Sequence, residues 1–325
     1  MRATSAVALA PQATGAGPSA IDESGYVRIG GIDQWISIRG DDARNPAVVY
    51  LHGGPAEAQS PFLAQFAPWE RGYTVVNWDQ RGSGKTFERN GPSTPNMHAE
   101  QLVLDSIEVA RYAQRRLGKP RVILVCQSWG CVLGTQAATR APEIFAAYVG
   151  TGQPVNWVIS LEDRERFARA QMTAAHDVAA LAALDAAQKL SPSDPKRLGA
   201  TNAWRWTPSD RAYLDSQRAY IHGQMAAPKA EVDAWMAGGD FSGPRLWPAI
   251  TAYDARTVLD FRMPVFVIEG RDDHVTSFAA AEAWVDALRA PAKRFVAIDG
   301  GHFACFTDAA QFVGALDRYV RQYAS

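Results

Sequence analysis

The stretch Arg121–Gly134, RVILVCQSWGCVLG, places a serine between a four-residue apolar run (Val122–Val125) and small residues at helical spacing. The arrangement small-x-Ser-x-small at a strand-to-helix junction, here Cys126-Gln127-Ser128-Trp129-Gly130, suits a sharp turn that presents a hydroxyl, because the backbone beside the serine is crowded. The alternative for Ser128 is an N-cap, its hydroxyl bonded to a helix N–H. A serine hydroxyl is a weak nucleophile by itself; it needs a base, and the base needs an orienting acid. Downstream, VIEGRDDHV puts Asp273 in the loop after one apolar run, and VAIDGGHFACF puts His302 after the next. Ser, then Asp, then His, each following a buried strand, is an order that suits acyl transfer at one sheet edge. Asp272 competes with Asp273, and the Gly-x-x-Asp spacing from Gly270 favours Asp273. His274 competes with His302 but adjoins the acid and would be directed elsewhere. His98, His176 and His222 read as surface or satisfied histidines.

The charge that develops on an attacked carbonyl oxygen needs preorganised N–H donors, each worth about 3 kcal/mol. The backbone of Trp129, the residue after the serine, is one candidate. Gly54, in LHGGPAEA, is the second, since without a side chain its N–H can come close; Gly53 is the alternative. His52 in the same segment reads as a brace for that loop rather than as a base. Gly53, Gln127, Trp204 and Trp206 are expected against the substrate.

These residues need a scaffold that brings strand ends to one rim. PAVVYLHGGP, YTVVNWDQRGSG, RVILVC and AAYVGTGQP read as buried parallel strands, and YVRIGGIDQWISIRG reads as a hairpin turned at Gly30-Gly31. Helical spacing runs from Met97 to Leu117 and stops at Gly118-Lys-Pro. From Pro154 the character shifts to Ala-rich helical patterns, MTAAHDVAALAALDAAQ among them, separated by SPSDP and GGDFSGP. Strand–helix alternation returns with PVFVIEG, a helix over Phe278–Leu288, RFVAIDG and a last helix. The alternation implies a mostly parallel sheet with right-handed crossovers. The domains expected are a disordered tail over 1–20, an α/β core over 21–153 and 255–325, and a helical lid over 154–254, set at the strands' carboxyl ends where ligands of open α/β sheets bind.

The bulk numbers fit a soluble enzyme: 325 residues, 47% hydrophobic and 21% charged, with a net charge of −1. Such a balance gives no general pull toward nucleic acid or an anionic membrane. No run approaches a membrane span, and Cys126, Cys131 and Cys305 form neither a disulfide framework nor a zinc pattern. The expected location is cytoplasmic, or periplasmic or secreted if a leader was trimmed. Ten tryptophans read mainly as packing, yet Trp157, Trp204, Trp206, Trp235 and Trp247 in the lid suggest an apolar or aromatic acyl group. RGSGKT, Arg81–Thr86, invites a phosphate-loop reading. That loop needs a glycine at position 79, where an aspartate stands.

His52-Gly53-Gly54-Pro55, Trp78-Asp79-Gln80-Arg81-Gly82-Ser83-Gly84, Gln127-Ser128-Trp129-Gly130 and the Asp273/His302 pair together resemble the proline iminopeptidase branch of the α/β-hydrolase fold. The likeness covers about Ile21–Gln153 and Val258–Tyr323. It implies an α/β-hydrolase fold with a mostly parallel eight-stranded sheet flanked by helices and a helical cap inserted after the sixth strand. It also implies a serine hydrolase with neither metal nor organic cofactor. By matching position, Ser128 is the nucleophile, Asp273 the acid, His302 the base, and Gly54 with Trp129 the oxyanion hole. Two small positions depart from the family, Ala56 and Cys126, where glycine is usual. A third departure bears on substrate. The family holds a free amino terminus on cap glutamates near a Trp-x-x-Trp-Glu-like segment, whereas NAWRWTPSD carries Arg205 and no glutamate. A cation there repels an ammonium, leaving Glu162, Glu165 and Asp210 as substitutes. The expected substrate is a small ester, amide or short peptide, with carboxylesterase or lactonase activity on apolar acyl groups as the alternative to aminopeptidase activity. A non-catalytic ligand-binding protein on the same scaffold is the reading from another class. Epoxide hydrolases and dehalogenases of this fold use a carboxylate nucleophile, which Ser128 argues against.

Overall fold

The computed structural model describes residues 19–220 and 229–324. The tail expected over 1–20 lies outside the described residues except for Ser19 and Ala20, as does His222; the Ser19 carbonyl accepts from the Ala43 N–H at 2.7 Å. Eight strands form one sheet in the order β1-β2-β4-β3-β5-β6-β7-β8. β1 (Ile21–Ile29) and β2 (Ile32–Gly40) are the predicted hairpin, and Gly30 and Gly31 turn it at φ of 53° and 80°. β2 pairs antiparallel with β4 (Thr74–Trp78). From there β3 (Ala47–Leu51), β5 (Val122–Gln127), β6 (Phe145–Thr151), β7 (Val265–Gly270) and β8 (Lys293–Ile298) run parallel.

Central strands bury both faces, which is why they read as unbroken apolar runs. Val49, Leu51, Leu124 and Cys126 face a cluster that includes the helices Ala99–Leu117, Trp129–Arg140 and Phe278–Ala287. Their neighbours Val48, Tyr50, Ile123 and Val125 face Phe66, Trp69 and the helix Ala309–Ala315 on the other side. The spacing predicts a helix from Met97; it begins at Ala99, because the His98 ring accepts from the Gln101 N–H as an N-cap.

The Asp79–Thr86 turn is self-satisfied. Asp79 accepts from the Ser60 N–H at 3.2 Å and the Lys85 N–H at 2.9 Å, so a carboxylate occupies the place a bound phosphate would take. Arg81 and Asp105, both fully buried, meet at 2.8 and 3.2 Å. Arg81 also donates to the Gly30 and Pro95 carbonyls, and Gln34 and Gln101 donate to Asp105. One ion pair thus ties the hairpin and the β4 turn to the helix Ala99–Leu117. Asp105→Ala strands the guanidinium without its counter-charge, and the expected cost is about 3–5 kcal/mol, read from urea midpoints.

Between β6 and β7 the described chain holds no strand; its main helices are Trp157–Ala174, Val178–Ala187, Pro208–Ala219 and Lys229–Ala252. The ends of this block meet at an isolated bridge between Asn156 and Asp254. Met172–Gln188 is helical as its pattern suggests but in two pieces: His176 takes a φ of 53° and Asp177 caps the next helix through the Ala180 N–H. One local expectation needs correction. GGDFSGP is not a separator; it lies inside Lys229–Ala252, as does Pro248. Packing overrides propensity here. A Cβ on Gly238 would come within 3.0 Å of the Gly82 carbonyl, and the Ser242 hydroxyl donates to that same oxygen at 2.7 Å. Among the described residues no helix is long and apolar enough to cross a membrane.

Candidate active site

Ser128 sits where β5 hands over to the helix Trp129–Arg140, at φ 51° and ψ −119°. Non-glycine residues rarely hold such a backbone, and where they do the surroundings must enforce it. Gly130 shows the crowding: a Cβ there would lie 2.1 Å from the Leu51 carbonyl oxygen. Cys126, where glycine is usual, fits because Gly134 faces it; a Cβ at 134 would be 3.2 Å from the cysteine's Cβ and Sγ. The Ser128 hydroxyl makes no capping hydrogen bond, so the N-cap reading loses its one required contact. Ser128 and His302 instead line the same cavity of about 500 Å³. At rest, no hydrogen bond joins the two side chains among the described residues.

Asp273 follows β7, fully buried, and is fixed by four donors. Its Oδ1 accepts from the Val275 and Thr276 N–H groups at 2.8 and 3.0 Å. Its Oδ2 accepts from the Thr276 hydroxyl and from His302 Nδ1, both at 2.8 Å. Burial pushes the carboxyl up, but the His302 imidazole, the hydrogen bonds from His302 and Glu269 and the Thr276 backbone outweigh it and hold Asp273 well below the usual carboxylate range. A ring nitrogen facing a carboxylate carries the proton, which leaves His302 Nε2 as the acceptor of the neutral ring. Asp272 is exposed, and His274 bonds Asp163 at 3.1 Å while stacking on Phe167.

Gly54 and Trp129 both line the cavity, and their N–H groups take no part in the hydrogen bonds of the described residues. Gly54 has a φ of 111°, and a Cβ there would meet the Ala56 and Glu57 nitrogens at 2.7 Å. Gly53 and Gln127 lie off the cavity wall, packed on each other: a Cβ on Gly53 would lie 2.1 Å from Gln127 Oε1. Trp206 lines the cavity beside His302, whereas Trp204 turns into a cluster with Ala168, Met172 and Leu184. Of the other tryptophans in the block between β6 and β7, Trp157 and Trp247 also line it; Trp235 instead donates to the Ala58 carbonyl.

Several positioning residues escaped the sequence reading. Gln80 joins the His52–Gly54 segment to Trp129: its N–H donates to His52 Nε2, its amide nitrogen to the His52 carbonyl, and its Oε1 accepts from the Trp129 indole. Its place inside the WDQRG stretch was the available signal. Gly152 passes so close to His302 that a Cβ would lie 2.8 Å from the ring. Asp210 accepts from the His302 and Phe303 N–H groups, Glu165 is paired with Arg197, and Glu162 is exposed, so none of the three acids named as substitutes lines the cavity. Glu269 accepts from the Gln153 N–H, while its Oε1 reaches no donor. Burial, then the charge of Asp273 and a hydrogen bond with it, raise the Glu269 carboxyl well above its ordinary value.

His52 is buried, with Nδ1–H donating to the Gly53 carbonyl at 2.9 Å and Nε2 accepting from Gln80. Burial lowers its pKa to about 4, against the smaller opposing effect of the Gly53 hydrogen bond. Folding therefore favours the neutral ring. The contribution is present above about 6.5, the unfolded value, and lost as pH falls toward 4, an effect on the order of 3 kcal/mol. Asp79, raised to about 6 by burial, works in the opposite sense over part of that window. The clean measurement is the stability of the protein minus that of His52→Asn, from urea unfolding at pH 7 and pH 4.5; the difference is expected to shrink.

The sequence profile of the α/β hydrolase fold matches residues 46–309. A probable aminopeptidase of Bacillus subtilis (strain 168) is 24% identical over 307 residues, covering 91% of this chain and 95% of that protein. Among solved structures, a proline iminopeptidase of Mycobacterium smegmatis superposes with a TM-score of 0.63 at 20% identity, over 93% of this chain and 98% of that one. An epoxide hydrolase of Vigna radiata superposes at 0.57, also at 20% identity and with the same coverage. At such identities the superpositions speak for the fold, while the profile match spans most of the chain. The chain belongs to the α/β hydrolase fold family, and within it is similar to the proline iminopeptidases.

Proposed function

We propose that the protein is a serine hydrolase that cleaves an ester or small amide through an acyl-enzyme. Ser128 Oγ attacks the carbonyl carbon as His302 Nε2 takes its proton, Asp273 keeps that imidazole in the required tautomer, and the proton passes to the leaving group. The Gly54 and Trp129 N–H groups receive the oxyanion. Water then attacks the acyl-enzyme by the same path and releases the acid. The block over 154–254 acts as the cap that shapes the substrate site above the core.

One observation carries this reading: a serine held at positive φ, its hydroxyl unused as a cap, opens into the cavity of a histidine whose other nitrogen is bonded to a buried carboxylate. Apo geometry with an unformed Ser–His hydrogen bond is common in such sites, and the bond tightens with substrate bound. Trp157, Trp206 and Trp247 on the wall favour an apolar or aromatic acyl group. A probable aminopeptidase and a proline iminopeptidase are among the similar proteins, yet among the described lining residues Glu57 is the one acid and Arg164 and Arg205 are the cations, which favours substrates without a free amino terminus.

A fluorophosphonate probe on the intact protein tests it. The expected result is a single adduct on Ser128, absent from Ser128→Ala, with p-nitrophenyl acyl esters cleaved faster than prolyl 4-nitroanilide. No adduct, or one that persists in Ser128→Ala, returns the chain to a ligand-binding role. Faster cleavage of the anilide makes it an aminopeptidase.

A further inference from the structure

Arg164, on the helix Trp157–Ala174, lines the cavity yet is only 4% exposed. Its Nη2 donates to the Val275 carbonyl at 2.7 Å, which pins the guanidinium to the loop that carries Asp273. Its Nε and Nη1 have no hydrogen-bond partner among the described residues. The two carboxylates whose charge reaches it, Asp273 and Glu165, are engaged elsewhere, with His302 and Arg197. Arg205 lines the same cavity, stacked 4.3 Å over the Trp206 ring, and no hydrogen bond or ion pair among the described residues takes its guanidinium.

The two cations are near enough to repel each other: after burial, the charge of Arg205 is the chief influence that lowers Arg164. Folding tolerates two neighbouring like charges, one buried and one half-buried, without a contacting carboxylate only at a cost in stability, and an arrangement of that kind calls for an explanation. Glu57 lines the same cavity and its charge reaches Arg205, yet no hydrogen bond or ion pair joins it to either guanidinium among the described residues. The remaining walls are largely apolar, Trp157, Leu198, Trp247 and Ile250 among them.

We propose that the substrate carries a carboxylate at the end of an apolar or aromatic stem, seated on Arg205 while Arg164 adds a second positive charge from the wall. The proposal rests on the serine hydrolase reading for the reaction, though the anion site itself does not. Guanidinium is suited to the task, being planar, always charged and weakly hydrated. The cationic field also disfavours a substrate ammonium.

Matched esters test it: 4-nitrophenyl hydrogen adipate against its methyl-capped diester, at pH 7 and low salt. The expected kcat/KM ratio favours the anionic ester by about tenfold or more, as a charge-assisted hydrogen bond in a dry site allows. The ratio falls toward one in Arg205→Gln and drops in Arg164→Gln, and added salt lowers it in the unmutated protein. A parallel calorimetric titration uses Ser128→Ala with monomethyl adipate and dimethyl adipate, so binding is read without turnover. Tighter binding of the monoacid that weakens on adding Arg205→Gln supports the anion site even if no ester is cleaved, in which case the hydrolase reading alone fails. A ratio of one or less with equal binding of the two adipates overturns the anion site, and labelling of Ser128 beside it leaves the hydrolase reading standing.

Discussion

Ser128→Ala is expected to lower kcat/KM on a p-nitrophenyl ester by about 10⁴- to 10⁶-fold, with the folded protein retained. The size follows from the proposed chemistry: without the hydroxyl there is no acyl-enzyme, and only binding and the two N–H donors act on water's attack. Residual rate should therefore exceed the uncatalysed reaction without a burst of nitrophenol. Circular dichroism and a urea midpoint close to the unmutated value separate lost chemistry from lost structure. A fall of less than tenfold would move the nucleophile elsewhere.

Asp273→Asn is expected to cost about 10⁴-fold in kcat with little change in KM. The local hydrogen bonds dictate the direction. Two backbone N–H groups, of Val275 and Thr276, point at one carboxylate oxygen. An asparagine must keep its carbonyl there, which turns its NH₂ toward the Thr276 hydroxyl and His302 Nδ1. A donor facing Nδ1 forces the proton onto Nε2, and the ring can then no longer accept from Ser128. Fluorophosphonate labelling of Ser128 should slow in step with turnover. An activity within tenfold of the starting level would mean that Asp273 serves only the loop.

Much of this was written in the linear order. The buried strands are unbroken apolar runs because helices cover both faces, and the hairpin announced itself through Gly30-Gly31. Ser128, Asp273 and His302 were legible because each directly follows such a run, so strand direction alone sends them to one rim. Residues that act across the fold were harder to read. Gly152 and Glu269 matter through what they approach, and nothing near them in sequence names that neighbour. Trp204 and Trp206 stand two apart in a turn without helical or strand period, so no spacing rule says which one meets the cavity. GGDFSGP carries every mark of a break, yet it packs as helix because small residues let it lie on the Gly82 turn.

Asp210 belongs to the helix Pro208–Ala219 of the inserted block, yet its carboxylate receives the main-chain N–H groups of His302 and Phe303. The inserted block and the His302 loop are therefore not independent modules in this molecule. A block transplanted here from a relative would strip two interior amides of their acceptor unless it carried an acid to the same spot, a loss of about 1–3 kcal/mol for each. Divergence in the inserted block is thus tethered, at one side chain, to the conformation of the His302 loop.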